Sequence, residues 1–276
     1  MSRASVLAAR GPESPEAILQ VLIHSMRAHP VTLPAGTPDP TAAEVRLAGG
    51  IPALTGEPLL PWPRLARAAG ATARALIGSP AGDAALAVAR WLERDGGRLD
   101  HEALVVAALA GGWEPLRRLA RRGGVDPDVA CTILDCAARP ALRAGAAAVA
   151  SIPALAGWSR PVCPACGAPP TIGVVLGKER ERRLCCGRCG TGWAYPRVRC
   201  TSCGEADHRR LGTLHPAGEG DYRRVETCES CRGYLKTVAA LDLPNVDRVL
   251  ELDLETAGLD FVALERGYRR GTVEEW

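Results

Sequence analysis

Aromatic residues are scarce: they make up 4% of 276 residues, with one Phe and four Tyr, and Met occurs only twice. The 47% hydrophobic fraction therefore comes mainly from Ala, Leu and Val, a composition suited to helices packed closely through small side chains. An excess of one charge is also missing. The 34 basic and 31 acidic residues leave a formal +3 at pH 7, too balanced to imply nucleic acid on its own. No segment approaches the ~18 uninterrupted apolar residues of a membrane span. Residues 1–10 run directly into Gly11-Pro12-Glu13, without the apolar centre of a secretory signal. A Gly-Lys-Ser/Thr phosphate loop, a His-Glu-x-x-His helix and a Gly-x-Ser-x-Gly elbow are all absent. No catalytic constellation is visible, so the chain reads as a non-enzyme. The expected compartment is the cytoplasm, where closely spaced cysteines serve metal or redox chemistry rather than disulfides.

What is present is divided sharply along the chain. Nine of the eleven cysteines fall between Cys163 and Cys231, and every Tyr and the Phe lie beyond residue 160. Before residue 159 the signals are helical. Ser14-Pro15-Glu16 supplies an N-cap, a first-turn proline and an acid at the positive dipole end, and His29-Pro30 stops the run. Ser79-Pro80 repeats the start signal, with Gly96-Gly97 as its close. Asp100 caps a helix over 101–110, Glu114 opens another through Arg122, and Asp126-Pro127 starts one that Pro140 should kink or break. Residues 30–63, with eight prolines, read as an irregular connection.

From Pro161 onward short alternating segments take over. Residues 171–176 and 179–184 around Gly177-Lys178 read as a hairpin, and residues 209–214 and 222–227 as a second. Residues 244–270 read as helical again, carrying Val246, Val249, Leu250, Leu252 and Leu254.

Four Cys-x-x-Cys pairs punctuate this half: Cys163/Cys166, Cys186/Cys189, Cys200/Cys203 and Cys228/Cys231. Two sulfurs separated by two residues can reach one ion from a tight turn, and a following glycine admits the positive φ such a knuckle needs. Gly167, Gly190 and Gly204 follow the first three, whereas Arg232 precedes Gly233 in the fourth. Two knuckles make the all-thiolate tetrahedral set of zinc or of a rubredoxin-like iron. Cys166 to Cys186 encloses a hairpin, as does Cys203 to Cys228, which favours first with second and third with fourth over a cross-braced pairing. Residues 160–236 hold 14 Arg/Lys and 8 Asp/Glu, a formal +6 that offsets the negative charge of two four-thiolate sites. Cys131 and Cys136 read as buried helix residues, Cys185 as a spare thiol, and His208 and His215 as bystanders.

The expected fold is therefore α+β. A mainly helical domain (1–158) precedes tandem rubredoxin-like or zinc-ribbon modules and a C-terminal helix. The first module spans 159–205; the second spans 206–240 and is completed by the 200–203 knuckle; a helical segment covers 241–276. The cofactors would be two iron or two zinc ions. A zinc-ribbon nucleic-acid binder using Arg180, Arg182, Arg183, Trp193 and Tyr195 is the alternative.

The order of four knuckles behind an Ala-rich helical half resembles the formate dehydrogenase accessory protein family, FdhE. The matching stretches are Cys163-Pro-Ala-Cys166-Gly-Ala-Pro-Pro, residues 184–193, Arg197-Val-Arg-Cys200-Thr-Ser-Cys203 and Glu226-Thr-Cys228-Glu-Ser-Cys231-Arg-Gly-Tyr-Leu-Lys236. Leu264-Glu-Arg-Gly-Tyr-Arg-Arg270 looks like the family's closing segment. The resemblance implies a cytoplasmic, non-catalytic factor that binds the formate dehydrogenase catalytic subunit. It also implies two rubredoxin-like iron centres held by the eight knuckle cysteines.

Overall fold

A computed structural model describes residues 13–93, 99–215 and 222–271. It contains nine α-helices and one seven-stranded mixed sheet among the described residues, an α+β fold. The chain divides into two compact units, and neither is continuous in sequence. Unit 1 comprises residues 1–38 and 56–145; unit 2 comprises residues 39–55 and 146–276.

Unit 1 is helical for the reasons its capping residues suggest. Helix α1 (Pro15–Ala28) starts where Ser14 Oγ accepts from the Ala17 N–H, and ends at His29. Helix α2 (Pro40–Ala48), which belongs to unit 2, follows Asp39, whose carboxylate accepts from Thr41 and Ala42. Helices α3 (Trp62–Ala75), α4 (Gly82–Glu93), α5 (His101–Ala110) and α6 (Trp113–Arg122) follow in unit 1. Asp100 Oδ1 caps α5 at 2.9 Å from the Ala103 N–H. The expected Gly96-Gly97 stop lies outside the described residues. Leu65, Leu104 and Leu116 are fully buried beside Ala69, Ala73, Ala85, Ala108 and Ala120, so small side chains let the helices approach.

Two expectations need correction here. Helix α7 (Pro127–Val149) contains Pro140 in its interior, so of the expected kink or break the break does not occur. Losing the Pro140 donor costs on the order of 3 kcal/mol. Buried Ala137, Ala138, Ala141 and Leu142 offset it by packing on both sides. A half-buried Arg139–Asp135 pair at 2.6 Å staples the same turn. The proline-rich stretch of residues 30–63 is also more than an irregular connection: it contains α2.

In unit 2 the strands are β1 (Ile172–Leu176), β2 (Glu181–Cys185), β3 (Gly192–Ala194), β4 (Leu211–Leu214), β5 (Arg223–Cys228), β6 (Gly233–Ala240) and β7 (Arg269–Arg270). Their order is β3-β2-β1-β6-β5-β4, with β7 beside β6. All neighbours are antiparallel except β1 with β6 and β6 with β7. Each half runs knuckle, strand, strand, knuckle, strand, and the two halves sit head to tail with the same strand directions. The first hairpin forms as expected but with a longer turn, since Leu176 pairs with Glu181. The turn expected between β4 and β5 lies largely outside the described residues.

Alternation assigns the sheet's two faces. Ile172, Val174, Cys185 and Val238 face Val249 and Leu252 of helix α8 (Val246–Glu255) in one buried cluster. Val225 and Tyr234 meet Leu259 and Ala263 of helix α9 (Ala257–Glu265), with Tyr268, in another. The C-terminal region is thus two helices and a short strand, not one helical segment. The break falls at Thr256, whose hydroxyl donates to the Leu252 carbonyl at 2.6 Å.

Candidate metal centres

Each thiol cluster is built by a knuckle that precedes a hairpin and a knuckle that closes it. In the first three knuckles the glycine N–H returns to the carbonyl of the leading cysteine: Gly167 to Cys163 at 2.9 Å, Gly190 to Cys186 at 3.1 Å and Gly204 to Cys200 at 3.2 Å. These glycines have φ of 76°, 86° and 76°, the left-handed conformation that their placement in the sequence suggests. Arg232 occupies the corresponding place in the fourth knuckle at φ 59°, a conformation costing about 1–2 kcal/mol for a residue with Cβ. The C-terminal segment holds it there. The Arg232 guanidinium lies 3.9 Å from the Tyr268 ring centroid, and its carbonyl accepts from the Arg269 N–H at 2.8 Å.

The structure brings the pairs together in sequence order. Cys163, Cys166, Cys186 and Cys189 form one group, and Cys200, Cys203, Cys228 and Cys231 the other, with all sulfurs of a group within 4.8 Å of one another. Cys163 and Cys189 Sγ are 3.5 Å apart and Cys166 and Cys186 3.6 Å. The closest pairs of the second group, Cys200–Cys231 and Cys203–Cys228, are both at 3.7 Å. These separations are far longer than the ~2.05 Å of a disulfide. They approach the edge, about 3.8 Å, of a tetrahedron whose metal–sulfur bonds are about 2.3 Å. Four convergent thiols and no competing carboxylate or imidazole in either group make a donor set that fits zinc or iron. Backbone donors stand ready for the sulfur charge: Ser202 N–H lies 3.3 Å from Cys200 Sγ and Gly233 N–H 3.3 Å from Cys231 Sγ.

The two groups differ in surroundings. The first is buried; in the second, Cys203 is exposed and Cys231 half-buried. Burial pushes the Cys163 thiol well up, whereas hydrogen bonds from Cys163, Cys166 and Cys189 hold Cys186 well below its ordinary value. In the second group burial raises Cys200 to about 11. Such thiols need a cation to deprotonate together at neutral pH.

Residues outside the knuckles brace the first site. Ala53 and Leu54 donate their N–H groups to the carbonyls of Pro164 and Ala165 at 2.8 and 2.9 Å, inside the first knuckle. A Cβ on Gly167 would meet Pro52 at 3.2 Å. Arg46 Nε closes this loop by donating to the Ala53 carbonyl at 2.9 Å. The reading of residues 30–63 as an irregular connection did not reveal this brace. Trp158 and Trp193 indoles donate to the carbonyls of Val162 and Arg160, fixing the approach to Cys163. In the second knuckle Gly187 N–H bonds Thr171 Oγ1 at 2.9 Å, and an added Cβ would stand 2.7 Å from that oxygen.

Cys185 points away from the adjacent knuckle into the β1–α8 core, where burial lifts its thiol to about 12. Cys131 and Cys136 are buried on α7. His208 is largely exposed and neither it nor His215 belongs to a thiol group. The residues of the nucleic-acid alternative do not form a stacking platform. Trp193 and Tyr195 are only 3% and 5% exposed, and the buried Arg182 guanidinium pairs with Glu226 at 2.5 Å.

Comparison with known proteins agrees with this architecture. Residues 162–197 match the family model described as FdhE, central domain, and residues 198–275 match FdhE, C-terminal domain. A Protein FdhE homolog from Pseudomonas aeruginosa is 39% identical over 118 residues, 41% of this chain and 38% of that protein. One from Aquifex aeolicus is 30% identical over 118 residues, 40% of each. The aligned region thus spans about two-fifths of these relatives' length. The crystal structure of the FdhE protein from Pseudomonas aeruginosa superposes with a TM-score of 0.61 at 27% identity, covering 93% of this chain and 86% of that one. With both domain models matched in succession over residues 162–275 and the same fold extending over nearly the whole chain, the chain is similar to FdhE proteins both in its cysteine-bearing half and in its fold.

Proposed function

We propose that the protein is a non-catalytic accessory factor for formate dehydrogenase that binds the enzyme's catalytic subunit in the cytoplasm. In this reading each cysteine group, Cys163/Cys166/Cys186/Cys189 and Cys200/Cys203/Cys228/Cys231, holds one iron ion in a rubredoxin-like centre. The observation that carries the reading is the pair of convergent four-thiol groups within the two FdhE domains. Iron bound there would supply a one-electron ferric–ferrous couple; the half-buried second group is the better placed to exchange electrons with a partner. The chain's own contribution is to hold four sulfurs in register, exclude water from the first site and offer backbone N–H groups to the second. The helical domain, residues 1–158, is the partner-recognising body; the modules 159–205 and 206–240 carry the metals, and residues 241–276 lock the second module.

Two measurements test this. Protein purified without oxygen and then oxidised should turn red with two iron per chain; a colourless protein with two zinc per chain removes the redox role. The purified formate dehydrogenase catalytic subunit should co-elute with the metal-replete protein under reducing conditions. Absence of binding there would overturn the partner assignment.

A further inference from the structure

The sheet face turned away from α8 and α9 carries a cleft of about 380 Å³. Alternation places Val175, Arg182, Leu235, Arg224, Glu226 and Leu211 on that face, and all of them line the cleft. The loop before the third knuckle adds Arg197 and Arg199, and the β1–β2 turn adds Arg180. Among the described residues, five guanidinium groups and one carboxylate, that of Glu226, line the cleft. Both Glu226 oxygens are already used, Oε2 by Arg182 at 2.5 Å and Oε1 by Arg224 at 3.2 Å. No second acid lines the cleft among the described residues. Arg182 is 5% exposed and its Nε is buried without a hydrogen-bond partner. Arg182 and Arg224 are largely buried and share one carboxylate, while Arg180, Arg197 and Arg199 stand exposed around them; a further anion among these cations is favoured, and guanidinium forks suit phosphate oxygens.

At Val175 and Arg180 this cleft meets a second hollow, lined also by Gly177, Ala239, Ala240, Leu241 and Tyr222 and about 510 Å³ in volume. It is apolar where the first is basic. Tyr222 is 73% exposed and Leu241 89% exposed, unusually open for side chains of their kind. A basic compartment continuous with an apolar one that offers an aromatic ring fits a ligand with a diphosphate at one end and a flat apolar ring at the other. The volumes are those of a small-molecule site. The buried Trp193 and Tyr195 leave no run of exposed rings for successive bases of a strand.

We propose that this face of unit 2 binds a nucleoside diphosphate, with the phosphates among Arg180, Arg182, Arg197, Arg199 and Arg224 and the ring against Tyr222. The site borders the second cysteine group at Cys200 and Thr201 and takes its phosphate contacts from the arginines rather than from sulfur.

Isothermal titration of the full-length, metal-replete protein with ADP, GDP, pyrophosphate and AMP tests it. Either nucleoside diphosphate should saturate one site, with ADP or GDP binding tighter than pyrophosphate and ADP at least about tenfold tighter than AMP. Arg197→Glu, a surface change that spares the fold, should weaken ADP and GDP by about tenfold or more, as should Arg224→Gln. Tyr222→Ala should reduce ADP and GDP to the affinity of pyrophosphate. Arg209→Glu, a reversal at an exposed arginine outside the cleft, should change nothing. Absence of saturable binding by both ADP and GDP at 1 mM would overturn the proposal. So would unchanged affinity in Arg197→Glu, or a single-stranded oligonucleotide that displaces the nucleotide and binds more tightly.

Discussion

Lys236 is fully buried, yet it is charged and ends the Tyr-Leu-Lys stretch that follows the last knuckle. Its Nζ lies 2.7 Å from Asp260 Oδ2, 2.8 Å from Asp253 Oδ1 and 2.6 Å from the Asp253 carbonyl. One ammonium thus ties β6 to both C-terminal helices. Tyr234 donates to Asp260 Oδ1 at 2.7 Å, and Arg270 contacts both carboxylates from the other side. Replacing Lys236 with Met keeps the volume but leaves two carboxylates sharing Arg270. Removing one member of a buried ion cluster costs about 3–5 kcal/mol. The carboxylates retain partners and are about a quarter exposed, so the low end, about 3 kcal/mol, is expected. That corresponds to roughly a 100-fold loss of hydrogen-exchange protection. The assay is amide exchange of Thr237 and Val238 in β6 and of α9, read by mass spectrometry at neutral pH. Asp260→Asn in the Lys236→Met background should restore part of the protection by removing one of the two negative charges left to share Arg270. A loss below about threefold for Lys236→Met would place the pair at the level of a surface bridge and refute the structural role given to it here.

Three further outcomes follow from the geometry. Cys186→Ser should remove one metal per chain and leave the second, measured by elemental analysis; loss of both would mean that the sites fold as a single unit. Cys185→Ser should retain both metals while destabilising the β1–α8 core by about 1–3 kcal/mol in urea, because a hydroxyl replaces a thiol among apolar neighbours. Burial pushes the Asp253 carboxyl up, but Arg270 and Lys236 more than reverse this and hold it below its ordinary value. Its contribution is therefore present above the unfolded value near 3.9 and lost as pH falls through the lower folded value. Acid protection loss in β6 should accordingly be shallower for Asp253→Asn than for the native chain.

The parts of the fold written in short-range chemistry were legible. Ser14, Asp100 and the knuckle glycines each act on backbone within a few residues, so spacing sufficed to place them. The pairing of knuckles followed because each hairpin returns the chain to its start. What escaped depends on partners distant in sequence. The Pro164 and Ala165 carbonyls are met by Ala53 and Leu54, and no local pattern links those positions. Pro140 failed as a helix stop because buried alanines on either side outweigh a missing hydrogen bond, a tertiary effect that propensity does not contain. Arg232 could be seen to interrupt the Cys-x-x-Cys-Gly rule, but its clamp lies on Tyr268 and Arg269. The division of 244–270 into two helices and a strand turns on Thr256, an ordinary residue until its hydroxyl finds the preceding turn.

The head-to-tail order of the two modules also sets a timetable for synthesis. The first cysteine group spans 27 residues and can close as soon as Cys189 has left the ribosome, whereas β1, paired early with β2, receives its second neighbour only when β6, beyond Cys231, has been made. At about 5–20 residues per second that gap lasts about 2.5–10 s. For that time the β1 hydrogen-bonding edge is bare and hydrophobic, the kind of surface that seeks other chains. The cell's supply of metal in those seconds, more than the final affinity of either site, would then decide how much of each newborn chain reaches its native sheet.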